Sequence, residues 1–263
     1  MMRIVIFILL ALSPTTAFAQ ITLYNETLGN FPGDQGWLQY LANTFTNATQ
    51  TYVPGQGTEL VTTNGVSAGY FNKNYFTGSY INSAFPTLDR NIGFRISWDL
   101  LIHSETHSNP NRAGFSVIAL SNDKLGIELG FWSNEIWAQS GSDFQHAEGM
   151  TFTTTNQTHY DLTLQGTSYA LFANGVSVLT GALRDYSSFG VPYSYNNFLF
   201  LGDDTSLNDA DITLGRVSLI SAIPEPATWI SLGCVAIVLV TLVARAWRRR
   251  VESELMIQAS EQA

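Results

Sequence analysis

Residues 160–180 read YDLTLQGTSYALFANGVSVLT, three short runs of alternating apolar and polar side chains broken by Gln165-Gly166-Thr167-Ser168 and by Asn174-Gly175. Alternation with period two puts every second side chain on the same face of an extended chain, and Asn-Gly tolerates the positive φ of the tightest hairpin turns. A helix cannot satisfy this pattern, so the stretch confines the chain to antiparallel sheet. The same signals recur upstream. Residues 92–102 (IGFRISWDLLI) set Ile92, Phe94, Ile96 and Trp98 against Arg95, Ser97 and Asp99. Residues 115–120 and 125–131 flank the turn formers Ser121-Asn122-Asp123-Lys124, and residues 134–139, 198–201 and 212–220 supply further strands. A second Asn-Gly, at Asn64-Gly65, predicts a hairpin joining residues 59–63 to 66–71. About a dozen short strands at intervals near ten residues, with no helices to cover a parallel sheet, predict an all-β, two-sheet antiparallel jelly-roll sandwich.

The two ends do not fit that sandwich. Arg3, the apolar run 4–12 and the small residues Ala17 and Ala19 predict a signal peptide over residues 1–19 with cleavage after Ala19. Residues 227–244 (ATWISLGCVAIVLVTLVA) carry no charge, enough for roughly 27 Å of helix at 1.5 Å per residue, and predict one C-terminal transmembrane helix. Arg245, Arg248, Arg249 and Arg250 follow at once, which places residues 251–263 in the cytoplasm as a tail. The ectodomain is then 20–222 and the anchor 223–250. Before the span stands Pro224-Glu225-Pro226, a stiff spacer that continues neither strand nor helix. Pro-Glu-Pro, span and arginine cluster in this order resemble the PEP-CTERM sorting signal of bacterial surface proteins. That resemblance implies an exosortase-type processing enzyme as a partner, besides the membrane itself, and delivery of the ectodomain to the cell envelope or extracellular matrix.

Charge and cysteine sharpen the reading. Residues 20–223 hold 7 basic and 17 acidic side chains, a balance that disfavours polyanions and excludes nucleic acid as a partner. The sole cysteine, Cys234, lies in the span, so no disulfide staples the sandwich; about 200 residues bury enough core without one.

The order of a YDLTL strand (160–164), a strand carrying Asn174-Gly175 and a late strand with Leu201-Gly202-Asp203-Asp204 is similar to the second half of concanavalin A-like and laminin-G-like sandwiches. Leu28, Gln35-Gly36-Trp37-Leu38, Arg112-Ala113-Gly114-Phe115-Ser116, residues 126–132 (GIELGFW), Ile136-Trp137-Ala138-Gln139 and Leu183-Arg184-Asp185-Tyr186 further resemble the choice-of-anchor Y domain. The resemblance implies a surface domain borne on interchangeable anchors and brings no activity with it.

Four groups of residues carry candidate chemistry. His103, Glu105 and His107, read as a loop after the 92–102 strand, have metal-ligating side chains but lack the helix that His-Glu-x-x-His needs. Glu128, Glu135 and Glu148 offer carboxyls beside the His146 imidazole, with Glu128 either paired with Arg112 or facing outward. No Glu-x-Asp-x-Glu pattern, which sets paired carboxyls on one strand for glycoside hydrolysis in glucanases of this fold, is present. Asp203, Asp204, Asp209 and Asp211 form an oxygen-rich loop suited to calcium, the one cofactor the sequence suggests. Trp132, Trp137, Tyr193 and Tyr195 are the aromatics chosen for stacking on sugar rings. The expectation is an exported, non-enzymatic structural or adhesive envelope protein that contacts extracellular polysaccharide. The alternative is a secreted glycan-active hydrolase on the same fold.

Overall fold

The computed structural model describes residues 18–42, 48–62 and 66–222; residues 1–17 of the expected signal peptide, the Pro-Glu-Pro spacer, the expected span and the tail lie outside the described residues. Among the described residues no helix is long and apolar enough to cross a membrane.

Two long neighbouring strands organise the first sheet. β6 (Phe94–Thr106) and β16 (Asp209–Ala222) pair antiparallel from Thr106↔Asp209 to Phe94↔Ser221. On one side of β6 follow β11 (Thr158–Gln165), β12 (Ser168–Ala173) and β13 (Val176–Ala182), joined as the alternation predicts. Asn174 and Gly175 take φ of 49° and 78° in the turn between the last two, the two positive values that Asn-Gly was read to supply. On the other side, β4 (Gly57–Val61) pairs the first half of β16 and carries β3 (Thr49–Val53), while β1 (Phe18–Tyr24) pairs the second half. Phe18 and Ala19, the last residues before the expected cleavage, stand opposite Ala222 and Ser221.

The second sheet runs β10 (His146–Thr151), β9 (Glu135–Gln139), β8 (Leu125–Phe131), β7 (Ser116–Leu120), β15 (Phe198–Asp203), β5 (Ala68–Phe71) and β2 (Gln39–Ala42), with the short β14 (Arg184–Asp185) added beside β8. All pairings are antiparallel, and the chain is a two-sheet β-sandwich. β4 and β5 do not pair as the hairpin predicted across Asn64-Gly65: β4 lies in the first sheet and β5 in the second, while residues 63–65 themselves lie outside the described residues. β5 is buried throughout and β4 at three of its five residues; β4 pairs with the adjacent β3 and the distant β16, and β5 with β2 and β15.

Phe94, Ile96, Trp98, Leu100 and Ile102 of β6 face the second sheet and pack against Val117, Ala119, Ile127, Leu129, Leu199 and Leu201. Ile92 lies outside the strand and is 44% exposed, because the chain turns over residues 89–93 before β6 begins. At the centre of the core the Trp98 ring stacks on Tyr160, with centroids 5.5 Å apart, and meets Phe131 edge-on at 6.0 Å. Each such buried side chain contributes about 1.5–3 kcal/mol through removal from water.

The second sheet is also buried on its other face. Phe71, Phe200, Ile118 and Glu128 stand in one cross-strand row there. The segment 186–198 lies over this row with Tyr186 and Tyr193, helped by Phe144, and closes a smaller aromatic cluster. Gly69 is needed beneath it: a Cβ there would stand 2.3 Å from the Phe200 ring.

Candidate functional site

The covered face of the second sheet positions three polar groups that are far apart in sequence. Glu128 projects from the middle of β8, Asp204 follows the end of β15, and Tyr193 descends from the covering segment. The Tyr193 hydroxyl stands 2.6 Å from Glu128 Oε2 and 3.2 Å from Asp204 Oδ2. Burial pushes Glu128 well above the usual carboxylate range, and the nearby Asp204 charge pushes the same way against Tyr193 and Arg112. Asp204 is raised by burial and held down by Ser116, by the Arg112 charge and by Tyr193. The Tyr193 hydroxyl donates to the Glu128 carboxyl and lies within reach of the Asp204 carboxyl. The three groups thus form one hydrogen-bonded chain.

This chain ends at a pocket of about 530 Å³. Asp204 and Tyr193 supply its polar end, and Leu41, Phe71, Tyr75, Phe76 and Phe200 its apolar wall. Glu128 itself is 2% exposed and sits behind Tyr193, whereas Asp204 faces the pocket. Among the described residues no basic side chain lines it. Phe76 is 78% exposed at the mouth, meets Tyr75 edge-on at 5.5 Å, and presents a flat apolar surface of the kind that stacks on sugar rings. Asn74 accepts from the backbone N–H groups of Phe76 and Thr77, which fixes the turn that presents the ring.

Asp203 adds a pH signature. It is 1% exposed, its Oδ2 has no hydrogen-bond partner among the described residues, and burial pushes its carboxyl up to about 9. An unfolded aspartate loses its proton near pH 3.9, so between about pH 4 and 9 the folded chain binds more protons and stability falls as the pH rises. Asp203→Asn is expected to remove up to about one proton of that slope, ~1.4 kcal/mol per pH unit, and to be more stable than the parent at pH 8 but not below pH 4. Urea denaturation across pH 4–9 checks this; parallel curves for the two proteins would contradict it.

The other sequence candidates are placed differently. Trp132 and Trp137 are buried, and imidazole rings cover them: His107 stacks on Trp132 at 4.3 Å and His146 on Trp137 at 4.5 Å. Tyr195 donates to the Tyr75 carbonyl, 2.9 Å away, beside the pocket. His103–Thr106 continue strand β6 instead of forming a loop, because Asp209–Asp211 of β16 supply the pairing edge. Glu105 pairs with His107 and accepts from Ser133, while His103 points elsewhere, to Thr213. Glu135 pairs with His146, and Glu148 with Arg184 and Tyr169, away from Glu128. The four aspartates of the calcium loop separate. Asp203 and Asp204 lie at the pocket, Asp209 meets Thr106, and Asp211 joins Glu59 and His103 on the first sheet. Sequence reasoning missed Phe76, whose signal was an aromatic pair set among the turn formers Asn72, Asn74 and Gly78.

No protein-family model and no curated protein matches the sequence. Among solved structures, a conserved carbohydrate esterase from the Shiga toxin-encoding bacteriophage phi24B superposes with a TM-score of 0.52 at 11% identity, over 78% of this chain and 100% of that one. The carbohydrate-binding module CBM66 from Bacillus subtilis gives 0.41 at 11% identity over 69% and 95% of the two chains. A sialidase gives 0.49 at 12% identity over 81% of this chain and 19% of its own. The first likeness corrects the expectation of a non-enzymatic chain: the fold is one that a carbohydrate esterase uses over its whole length. The missing Glu-x-Asp-x-Glu motif does not exclude glycan chemistry, because the carboxyl pair here comes from a strand and a distant strand end rather than from one strand.

Proposed function

We propose that the protein is an exported glycan-active hydrolase, which holds a sugar against Phe76 and Tyr75 and acts on it through Asp204, Tyr193 and Glu128. The observation that carries the reading is the carboxyl pair joined through one tyrosine hydroxyl at the polar end of an aromatic-walled pocket. In this reading Asp204 takes a proton from the attacking water. Tyr193 donates to the departing oxygen and is reprotonated from Glu128, whose burial favours the protonated carboxyl. The likeness to a carbohydrate esterase supports the fold on which this chemistry is proposed.

The same proposal takes residues 1–19 as the export signal and 224–250 as a PEP-CTERM-like sorting signal read by an exosortase-type enzyme. The sandwich then works outside the cytoplasmic membrane, in the envelope or matrix, as a choice-of-anchor-like surface domain. Mass spectrometry of the ectodomain from its native host tests this part: a new C-terminus near Pro224–Pro226 is expected, and an intact 251–263 tail on the whole population would overturn processing.

The activity is tested by incubating the purified protein with a panel of neutral, amino and acetylated polysaccharides, while new reducing ends and released acetate are measured. Turnover of at least one glycan is expected, together with weaker binding by Phe76→Ala. Neither turnover nor binding across the panel by folded protein would overturn the proposal.

A further inference from the structure

The outward face of the first sheet, on the opposite side of the sandwich from the pocket, carries a second cluster. Glu59 of β4, Asp211 of β16 and His103 of β6 each bring one ligand atom to within 4.8 Å of the others. Three adjacent strands meet here. Thr213 lies buried among them, paired with Glu59 on one strand and Leu101 on the other, and its hydroxyl stands 2.8 Å from His103 Nε2, which fixes the ring. β6 carries one extra residue at this point: Ile212 pairs with Ile102 and Asp211 with Ser104, so His103 is the bulged residue whose side chain is re-aimed.

The cluster also holds an uncompensated polar atom. Asp211 Oδ1 is buried with no hydrogen-bond partner among the described residues, a situation that costs about 1–3 kcal/mol for a polar atom and more for a charged one. Neither Glu59 nor Asp211 makes an ion pair among the described residues. Two carboxylates without a cation, one with an orphaned oxygen, facing an oriented imidazole, are a donor set that a divalent ion completes.

We propose that Glu59, His103 and Asp211 form a divalent transition-metal site. One nitrogen and two oxygen donors suit zinc, manganese or iron(II). Calcium is disfavoured, since it takes six to eight oxygen ligands. Exposure of His103 leaves the remaining coordination positions to water. The ion ties β4, β16 and β6 together through their side chains, and Thr213 orients the imidazole from behind. The proposal is independent of the glycan reading, because the site and the pocket lie on different sheets.

Thermal melting and calorimetric titration of the full chain with zinc chloride test it. Zinc at about one hundred times its Kd is expected to raise the Tm by roughly 5–10 °C. His103→Ala and Asp211→Asn are expected to weaken zinc binding at least about tenfold and to lose most of that shift. His146→Ala, on the other sheet, serves as the control for another imidazole paired with a carboxylate and is expected to keep it. Because His103 is exposed, its alanine variant is expected to fold, and circular dichroism verifies this. An equal zinc shift in His103→Ala, a larger shift with calcium than with zinc, or no zinc binding below millimolar concentration would each overturn the site.

Discussion

Asp204→Asn is expected to lower turnover of the pocket's glycan by about 10²- to 10⁴-fold while leaving the protein folded and its glycan affinity nearly unchanged. The amide keeps the shape of the carboxylate and its place beside Tyr193, so the covering segment stays packed. What it removes is the acceptor proposed to take a proton from water at the pocket's polar end. Glu128→Gln should act at a distance: the hydrogen bond to Tyr193 survives, but the proton behind it is gone. Its kcat is expected to fall with KM almost unchanged, since Glu128 is buried away from the pocket and touches no substrate. A KM effect with normal kcat for both variants would place the chemistry elsewhere.

Trp98→Ala is expected to cost about 3–5 kcal/mol, a large share of the roughly 5–15 kcal/mol that holds a domain together. Trp98 is fully buried where the two sheets face each other, and its loss leaves Tyr160 and Phe131 without the ring that joins them. Trp98→Phe should cost much less. The indole Nε1 is buried without a partner among the described residues, so phenylalanine keeps an aromatic contact and deletes an unsatisfied donor. Urea denaturation of the two variants separates ring packing from the polar atom; equal losses would contradict that division.

Local chemistry made some of this fold legible in the sequence. β6, β11, β12 and β13 show themselves because each has one face in the core and one in water, and because Asn174-Gly175 supplies the positive φ that its turn requires. Asn64-Gly65 misleads for a physical reason: β4 and β5 are mostly buried, so neither alternates clearly, and no local signal says that the chain changes sheets between them. The edge strands β2, β3 and β10 hold no fully buried residue, so their own alternation is weak and their pairing comes from neighbours.

The site was legible only in pieces. Glu128 stood out as a charge inside an apolar strand, Asp204 as part of an acidic loop and Tyr193 as an aromatic, but 65 residues separate Tyr193 from Glu128. Only strand pairing across the second sheet and the descent of the covering segment bring them to one hydroxyl. Trp132 and Trp137 looked like sugar platforms, and the residues that cap them, His107 and His146, are reached only through the tertiary fold. Likewise Glu59 and His103 meet because both β4 and β6 flank β16, a fact of sheet order that no spacing along the chain encodes.

The most direct test of the central claim is a crystal structure of Asp204→Asn in complex with an oligosaccharide that the parent protein cleaves. The account predicts a sugar ring in the pocket between Phe76 and residue 204, with its scissile oxygen within hydrogen-bonding reach of Tyr193. A ring bound on the outward face of the first sheet, or anywhere out of reach of Tyr193, would contradict it.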